Sequence, residues 1–307
     1  METRQLEYFV AVAEELSFTR AAQRLYAVQS SVSSAIRALE SELRTTLFDR
    51  STRRVALSAA GAAFLPEAKT ALEAVERAKA VVQEATEGLR GSIRIGILTS
   101  INVLNMPTLL GAFHRRYPLV DIHVSVSVTG STGLADDVRH GRLDVALVGL
   151  PDVDLAGLRT TVLDRRPFVV LLPAGHRLAG RSEIGLLELA GEPFVDTLRG
   201  FGNRIVVDRA FDAIGAPRRI VIEVSDMTTV PDYVQAELGV AVVPQLDLQP
   251  HPGMVIIPLA GQSPRWQFSI VTLADKQPSR AVATLLDLIA EHRPVQPQES
   301  RQPPVQS

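Results

Sequence analysis

Short strands and helices alternate along residues 90–292, and this alternation restricts the possible folds more than any other feature of the sequence. The predicted strands are rich in valine and isoleucine and read SIRIGILTS, DIHVSVSVT, LDVALVG, FVVLLP, RIVIEV, GVAVVP and FSIVTL. Helical stretches separate them, including 182–190 and 228–239. The pattern predicts a mostly parallel sheet covered by helices. Because the region is long for one sheet unit, we expect two subdomains, I (90–163 and 268–292) and II (164–267).

Composition excludes several kinds of protein. The chain has no cysteine, so disulfides, thiol catalysis and zinc–thiolate sites are impossible, and a reducing cytoplasm is the expected location. The net charge of -2 gives no hint of a polyanionic partner. The N-terminus lacks a basic leader followed by an apolar run, and no apolar stretch approaches the roughly 20 residues that cross a bilayer. We therefore predict neither a signal peptide nor a membrane span.

Residues 1–58 are predicted to form three helices followed by a two-stranded ribbon. Ser17 is a good N-cap for the second helix, and residues 26–28 make a tight connection to the third. The segment LFDRSTRRVAL, 47–57, has the alternation and polar tip of a short β-turn ribbon. A pair of helices joined by so short a connection is a helix-turn-helix.

The third helix, QSSVSSAIRALESEL, combines an apolar stripe with many serines. Val32, Ile36 and Leu39 are spaced to face the core, whereas serine is a mediocre helix former. In a helix-turn-helix the second helix enters the DNA major groove, where small hydroxyl residues allow close approach. The other interpretation is a solvated polar face with incidental arginines. The predicted DNA contacts are Gln29, Ser30, Ser33, Ser34 and Arg37 on the helix, with Arg53 and Arg54 on the ribbon.

Residues 59–89 are predicted to form one long helix, which Ser58 can cap. Apolar residues recur at threes and fours over several heptads, from Phe64 through Leu72 and Val75 to Leu89. A helix this long has no core of its own, so we expect its stripe to meet a second chain. Packing against its own C-terminal domain is the alternative. The segment 293–307 is rich in proline and glutamine and is expected to be a disordered tail.

The N-terminal residues resemble the DNA-binding domain of LysR-type transcriptional regulators. The resemblance implies a winged helix-turn-helix, a dimerising linker helix and an effector domain built like a periplasmic binding protein. It also implies a bacterial regulator that binds a dyad-symmetric operator as a dimer or a dimer of dimers (a homotetramer) and responds to a small co-inducer. The matching positions are Phe9, Val10, Ala13, Glu14, Ser17, Phe18, Ala21, Ala22, Leu25, Gln29, Ser33, Ile36, Leu39, Glu40, Leu43, Leu47, Phe48, Arg50, Arg53, Arg54, Leu57 and Gly61.

Two residues depart from the pattern of that family. Arg44 stands where the family usually has a glycine after the third helix, so the turn there is expected to be shaped differently. Val28 stands where serine or alanine is usual. Because valine cannot cap a helix, Ser30 is expected to take part of that role.

Polar residues follow several predicted strand ends in the α/β region. Ligands of such folds bind beyond the carboxyl ends of strands, at helix N-termini, and the resemblance places the effector at the same positions. Hydroxyls and free N–H groups there favour a carboxylate, which we expect to contact Ser100 and Thr129, with Phe201 and Met227 giving apolar contact. Ordinary capping is the alternative for each segment. The full set of predicted effector contacts is Thr99, Ser100, Asn102, Thr129, Ser131, Phe201, Asn203 and Met227.

The sequence therefore predicts a sequence-specific DNA-binding transcriptional regulator modulated by a small organic acid. No cofactor or metal is expected, because the six histidines are scattered, and no common catalytic motif is found, so we do not expect an enzyme. One alternative is an effector-independent DNA-binding repressor. Another is a solute-binding protein or enzyme of α/β fold that carries an appended helical domain.

Overall fold

The structure is a computed structural model that describes residues 1–51, 54–98, 103–246, 248, 251–261 and 264–292, with residues 50, 51, 54, 76, 77 and 80–87 described by their backbone alone. The chain divides into two compact units, Met1–Gly88 and Leu89–Ser307. Several predictions fall outside the described residues. They concern Arg53, Thr99, Ser100, Asn102 and the tail 293–307.

The N-terminal unit contains the three predicted helices, the ribbon and the long helix. The elements are α1 (Thr3–Glu15), α2 (Phe18–Arg24), α3 (Gln29–Leu43), β1 (Phe48–Ser51), β2 (Arg54–Leu57) and α4 (Ala59–Glu87). Strands β1 and β2 pair antiparallel. Val32, Ile36 and Leu39 have no exposed surface, which confirms the predicted core face of α3. The ring of Phe9 packs against those of Phe48 and Phe64, with centroids 5.4 and 5.1 Å away.

Both predicted serine caps are confirmed. The Ser17 side-chain oxygen accepts a hydrogen bond from the backbone N–H of Arg20 at 3.3 Å, at the start of α2. Ser58 Oγ accepts from the N–H of Gly61 at 3.0 Å and donates to the Thr46 carbonyl at 2.6 Å. Ser58 therefore starts α4 and fixes it to the loop before the ribbon.

The first half of α4 packs on its own N-terminal unit. Ala68 is buried in the core of that unit, and Phe64, Leu65 and Leu72 pack against the same core. This part of the apolar stripe therefore has its partner within the chain, which neither interpretation of the sequence predicted. The side chain of Val75 is half-buried.

The described residues of the C-terminal unit form a seven-stranded sheet and a two-stranded sheet. Its elements are β3 (Gly91–Ile97), α5 (Met106–Arg116), β4 (Val120–Val126), α6 (Gly130–Arg139), β5 (Val145–Val148), β6 (Leu158–Pro173), β7 (Pro193–Thr197), α7 (Gly202–Ala213), β8 (Arg219–Val224), α8 (Val230–Gln235), β9 (Ala241–Pro244), β10 (Met254–Pro258), β11 (Arg265–Leu273) and α9 (Arg280–Glu291).

The strands of the C-terminal unit are parallel only in part. Strands β4, β3 and β5 run parallel to one another, as do β7 and β8. Strand β11 runs antiparallel to β5 and to the first part of β6, while the second part of β6 pairs antiparallel with β9 and β10. The prediction of a mostly parallel sheet is therefore wrong for these four strands, because β6 runs in the opposite direction to β11, β9 and β10.

Two predicted helices are much shorter than expected. In 182–190 only a 3-10 turn, Leu186–Leu189, forms, because Ile184 is extended and bridges to Leu259. In 228–239 a 3-10 turn, Met227–Thr229, precedes α8, which ends at Gln235. Shortly after it, Glu237 adopts a left-handed φ of 61°, which a helix cannot continue through.

Candidate functional site

The exposed face of α3 holds the predicted DNA contacts of this helix. Gln29, Ser30, Ser34 and Arg37 are exposed and Ser33 is half-buried, while the opposite face is anchored in the core. The Arg37 Nε–H donates to the Ser33 carbonyl at 3.3 Å, but the side chain stays in solvent. Its guanidinium can thus still reach a phosphate or a guanine.

The start of α3 has no side-chain cap. Val28 occupies the N-cap position with extended backbone, and its carbonyl accepts from the N–H groups of Ser31 and Val32 at 3.0 and 3.2 Å. The expectation that Ser30 shares the capping role is wrong, since no Ser30 side-chain bond to the first turn occurs among the described residues. The first-turn N–H groups that do not bond to the Val28 carbonyl therefore have no side-chain cap, and such groups favour an anion.

The turn after α3 corrects a second expectation. Arg44 has φ 52° and ψ 34°, and its N–H bonds to the carbonyls of Glu40 and Ser41. It therefore takes the left-handed conformation that suits glycine, so the turn keeps the shape that glycine would give it.

A glutamate fixes the ribbon to α3. Glu40 Oε1 accepts from the backbone N–H of Leu47 at 2.8 Å and of Phe48 at 3.3 Å. Sequence reasoning missed this role, although an acidic residue just before an uncapped loop is a usable signal. Arg54 lies in β2 opposite Ser51, and Arg53 lies outside the described residues.

Glu14 joins three helices of the N-terminal unit. Its carboxylate oxygens lie 2.7 Å from Arg24 Nη1 on α2 and 2.7 Å from Lys69 Nζ on α4. Partial burial acts to raise the pKa of the Glu14 carboxyl, but the hydrogen bonds from Lys69 and Arg24 outweigh it and hold this pKa below its ordinary value.

A narrow cleft lies at the starts of α6 and α7 in the C-terminal unit. Its enclosed space is about 10 Å³, which is room for roughly one water molecule. Of the predicted effector residues it contains Ser131, Phe201, Asn203 and Met227, whereas Leu98 and Trp266 were not predicted from the sequence. The lining consists of Leu98, Ser131, Phe201, Gly202, Asn203, Met227 and Trp266.

Thr129 lies beside the cleft, outside its lining. It occupies the N-cap position of α6, and its hydroxyl is 3.0 Å from that of Ser127. Its carbonyl is so close to Gly200 that a Cβ there would be 2.6 Å from the oxygen. Because the Thr129 hydroxyl is hydrogen-bonded to that of Ser127, it is engaged within its own loop.

The polar side chains of the cleft are held by the fold. Ser131 is fully buried, and its Oγ accepts from the Gly149 N–H at 3.0 Å. Asn203 Nδ2 donates to Thr197 Oγ1 at 3.0 Å. The described lining contains no charged side chain, and neither α6 nor α7 has a side-chain cap. An anion in the cleft would therefore be held by helix N-termini and neutral groups.

Two arginine side chains make hydrogen bonds that hold the start of α7 against the neighbouring strands. Arg204 Nη1 donates to the Thr197 carbonyl and to Glu223 Oε1, both at 2.9 Å. Arg218 Nη1 donates to Asp196 Oδ2 at 2.6 Å. Burial raises the pKa of the Asp196 carboxyl, against the lowering effect of Arg218.

Several contacts join the two sides of the cleft. The N–H and hydroxyl of Thr132 donate to the Gly200 carbonyl at 3.1 and 3.0 Å. A Cβ on Gly202 would lie 1.8 Å from the carbonyl oxygen of Gly149, so only glycine fits there. Arg209 donates through both Nη atoms to the Asp154 carboxylate at 2.7 Å each.

Two kinds of feature are missing from the described part of the chain. No group of three or more histidine, aspartate or glutamate residues there could hold a metal ion. No helix in the same residues has the length and apolarity that would let it cross a membrane.

Comparison with protein families matches both units. Residues 3–62 match the family described as "Bacterial regulatory helix-turn-helix protein, lysR family", and residues 86–294 match the "LysR substrate binding domain". The chain belongs to the LysR family. It is therefore a LysR-type DNA-binding transcriptional regulator with an effector-binding domain.

Among curated LysR relatives, the HTH-type transcriptional regulator ShiR of Corynebacterium glutamicum (strain R) is 39% identical over 245 residues, 79% of this chain and 82% of that protein. The Hca operon transcriptional activator HcaR of Escherichia coli (strain K12) is 35% identical over 301 residues, 94% of this chain and 96% of that protein. The relatedness thus extends over both units.

Solved structures of LysR regulators share the fold. A full-length OxyR from Pseudomonas aeruginosa, in which aspartate replaces one cysteine, is 28% identical with a TM-score of 0.70, covering 99% of each chain. Full-length CbnR complexed with its target DNA has a TM-score of 0.59 at 23% identity, covering 95% of this chain and 99% of that chain. This LysR protein has no cysteine in its sequence and therefore cannot use thiol chemistry.

Proposed function

We propose that this regulator reads a dyad-symmetric operator by placing α3 in the major groove. The polar exposed face of α3, backed by a fully buried apolar face, supports this placement. Half-sites would be one helical turn or a multiple of it apart. The proposed contacts are Gln29, Ser30, Ser33, Ser34 and Arg37 in the groove, with Arg53 and Arg54 at phosphates.

The proposed effector is a small organic acid bound in the cleft. The single observation that carries this is that two helix N-termini without side-chain caps meet at a cleft whose described lining is largely apolar and contains no charged side chain. N–H groups at helix starts stabilise a carboxylate, and Phe201, Met227 and Trp266 suit an apolar body. Thr99, Ser100, Asn102 and Thr129 stay proposed contacts on sequence grounds.

Binding would reach DNA through movement of the two proposed subdomains, 90–163 with 268–292 and 164–267. A ligand shifts such an equilibrium only if it binds one arrangement better. A carboxylate that touches both α6 and α7 meets this condition because the two helices lie on opposite sides of the cleft. A coupling free energy of about 1–3 kcal/mol between effector and DNA binding is typical of allosteric proteins.

The test uses the variant Asn203→Asp, which keeps the shape of the side chain and adds a negative charge in the first turn of α7. We expect binding of a carboxylate found by a thermal-shift screen to weaken at least about tenfold, because like charges in a cleft repel. The matching carboxamide should bind both proteins alike in calorimetry. Asn105→Asp, the same change at the capping residue of α5, is the control.

Two outcomes would contradict the proposal. Equal carboxylate affinity in the Asn203→Asp variant would place the acid elsewhere. If no member of a broad carboxylate library shifts the melting temperature, with or without DNA, the effector-independent repressor becomes the better description.

A further inference from the structure

Val28 exposes an apolar side chain at the start of the recognition helix. It is 68% exposed and occupies the N-cap position of α3, where its side chain makes no capping hydrogen bond. A small polar residue at this position would satisfy a first-turn N–H group. Valine leaves that group open and also exposes its methyl groups to water.

Several other helices of this chain have a side-chain cap, whereas α6, α7 and α8 have none. The residues before α2, α5 and α9 are Ser17, Asn105 and Ser279, and each side chain accepts from a first-turn N–H. Ser58 does the same for α4. Val28 therefore lowers the stability of the folded protein relative to a polar capping residue. Residues that are unfavourable for stability in this way are commonly found at binding sites.

We infer that Val28 determines specificity by packing its methyl groups against the C5-methyl of a thymine. The inference rests on the proposed placement of α3 in the major groove, where the N-terminal residues of the recognition helix meet base edges. Thymine alone among the four DNA bases presents a methyl group in that groove, and apolar side chains recognise it. The neighbouring Gln29 offers its amide group to the next base.

The test removes that methyl group from the DNA. A duplex is selected by the wild-type protein from a randomised library, and its dT residues are replaced by dU, one dyad-related pair at a time. Uracil pairs as thymine does but lacks the methyl. Fluorescence anisotropy at one salt concentration should find a pair whose replacement weakens wild-type binding about fourfold per half-site, the effect of losing one buried methyl group.

Two variants assign the effect to Val28. Val28→Ser should bind the dT and dU duplexes equally at that pair, and Val28→Ala, which keeps one methyl group, should show a smaller difference than the wild type. Both variants should keep the wild-type response at other pairs. Val28→Ser also supplies a capping hydroxyl, so it should fold at least as well as wild type. A loss of thymine preference in this variant therefore cannot come from unfolding.

The inference is overturned if no dT pair responds to demethylation, or if both variants respond as the wild type does. In either case a Gln29→Ala variant that has lost base preference shows that the groove placement stands and only the role of Val28 is wrong. If the library gives no enriched duplex, the groove placement fails and this inference fails with it.

Discussion

Arg44 holds a backbone conformation that is costly for any residue with a side chain. Its φ of 52° lies in the left-handed region, which costs a non-glycine residue about 1–2 kcal/mol. We expect Arg44→Gly to raise the free energy of unfolding by about 1 kcal/mol, measured by urea denaturation of the full chain. Ala38→Gly, at an exposed position inside the same helix, should lower it by about 1 kcal/mol.

The same pair of variants also separates two explanations for Arg44. If stability falls in Arg44→Gly, the guanidinium contributes more to folding than the strained backbone removes. If stability rises but DNA affinity falls, the arginine is retained for its charge, since it lies close to the ribbon in sequence and is exposed.

Glu14 predicts how the packing of α1, α2 and α4 depends on pH. Its lowered pKa means that its ion pairs stabilise the fold fully above the ordinary carboxyl pKa, and that this stabilisation disappears as the pH falls through the lowered value. We expect Glu14→Gln to be less stable at pH 7 by a few tenths of a kcal/mol up to about 1, because the group is partly exposed.

Thermal melts of wild type and Glu14→Gln at pH 7 and below about 4 measure this dependence. The difference in melting temperature should shrink on acidification. Glu7→Gln, on the exposed side of α1, should leave the melting temperature at the wild-type value at both pH values. A difference that stays constant down to pH 3 would mean that the ion pairs do not cause it.

Helices were predictable where one periodic face meets one core. Val32, Ile36 and Leu39 have such spacing, and the local capping chemistry of Ser17 and Ser58 was equally readable. The helix prediction for 182–190 was wrong because Ile184 bridges to a residue far along the chain, and a local sequence pattern does not encode such a pairing. The antiparallel pairing of β6 was not predicted for the same reason, because the relative direction of two strands depends on partners that are distant in sequence.

The apolar stripe of α4 makes dimerisation a prediction about the whole molecule. Leu72 packs on the N-terminal core, so changing it would damage the domain itself. Val75 is half-buried and is not among the described residues that pack on that core. We expect Val75→Glu to give a smaller species in light scattering and at least about tenfold weaker operator binding, because an unpaired charge in an apolar seam is strongly unfavourable.

Ala74→Glu is the matched control, because it adds the same charge at the neighbouring exposed position of α4. It should keep the wild-type mass and affinity. An unchanged mass in Val75→Glu would place the dimer contact in another part of the chain.

The cleft was predictable only in part. Ser131, Phe201, Asn203 and Met227 follow strand ends, where folds of this kind bind ligands, so their sequence position was enough. Trp266 lies within a strand and reaches the cleft only because Gly149 leaves room beside its indole nitrogen. That contact depends on the packing of two distant segments, which no local pattern reveals.

Strands β6 and β11 are hydrogen-bonded to each other where the chain crosses between the proposed subdomains, with one irregularity in register between Phe268 and Ser269. The two connections therefore form one ribbon, which favours rotation about one axis over independent movement at two joints. Opening of the cleft could then be described by one distance between the two proposed subdomains. Since the chain has no cysteine, two introduced thiols would be the sole attachment points for thiol-reactive spectroscopic labels, and that distance could be followed without a background signal.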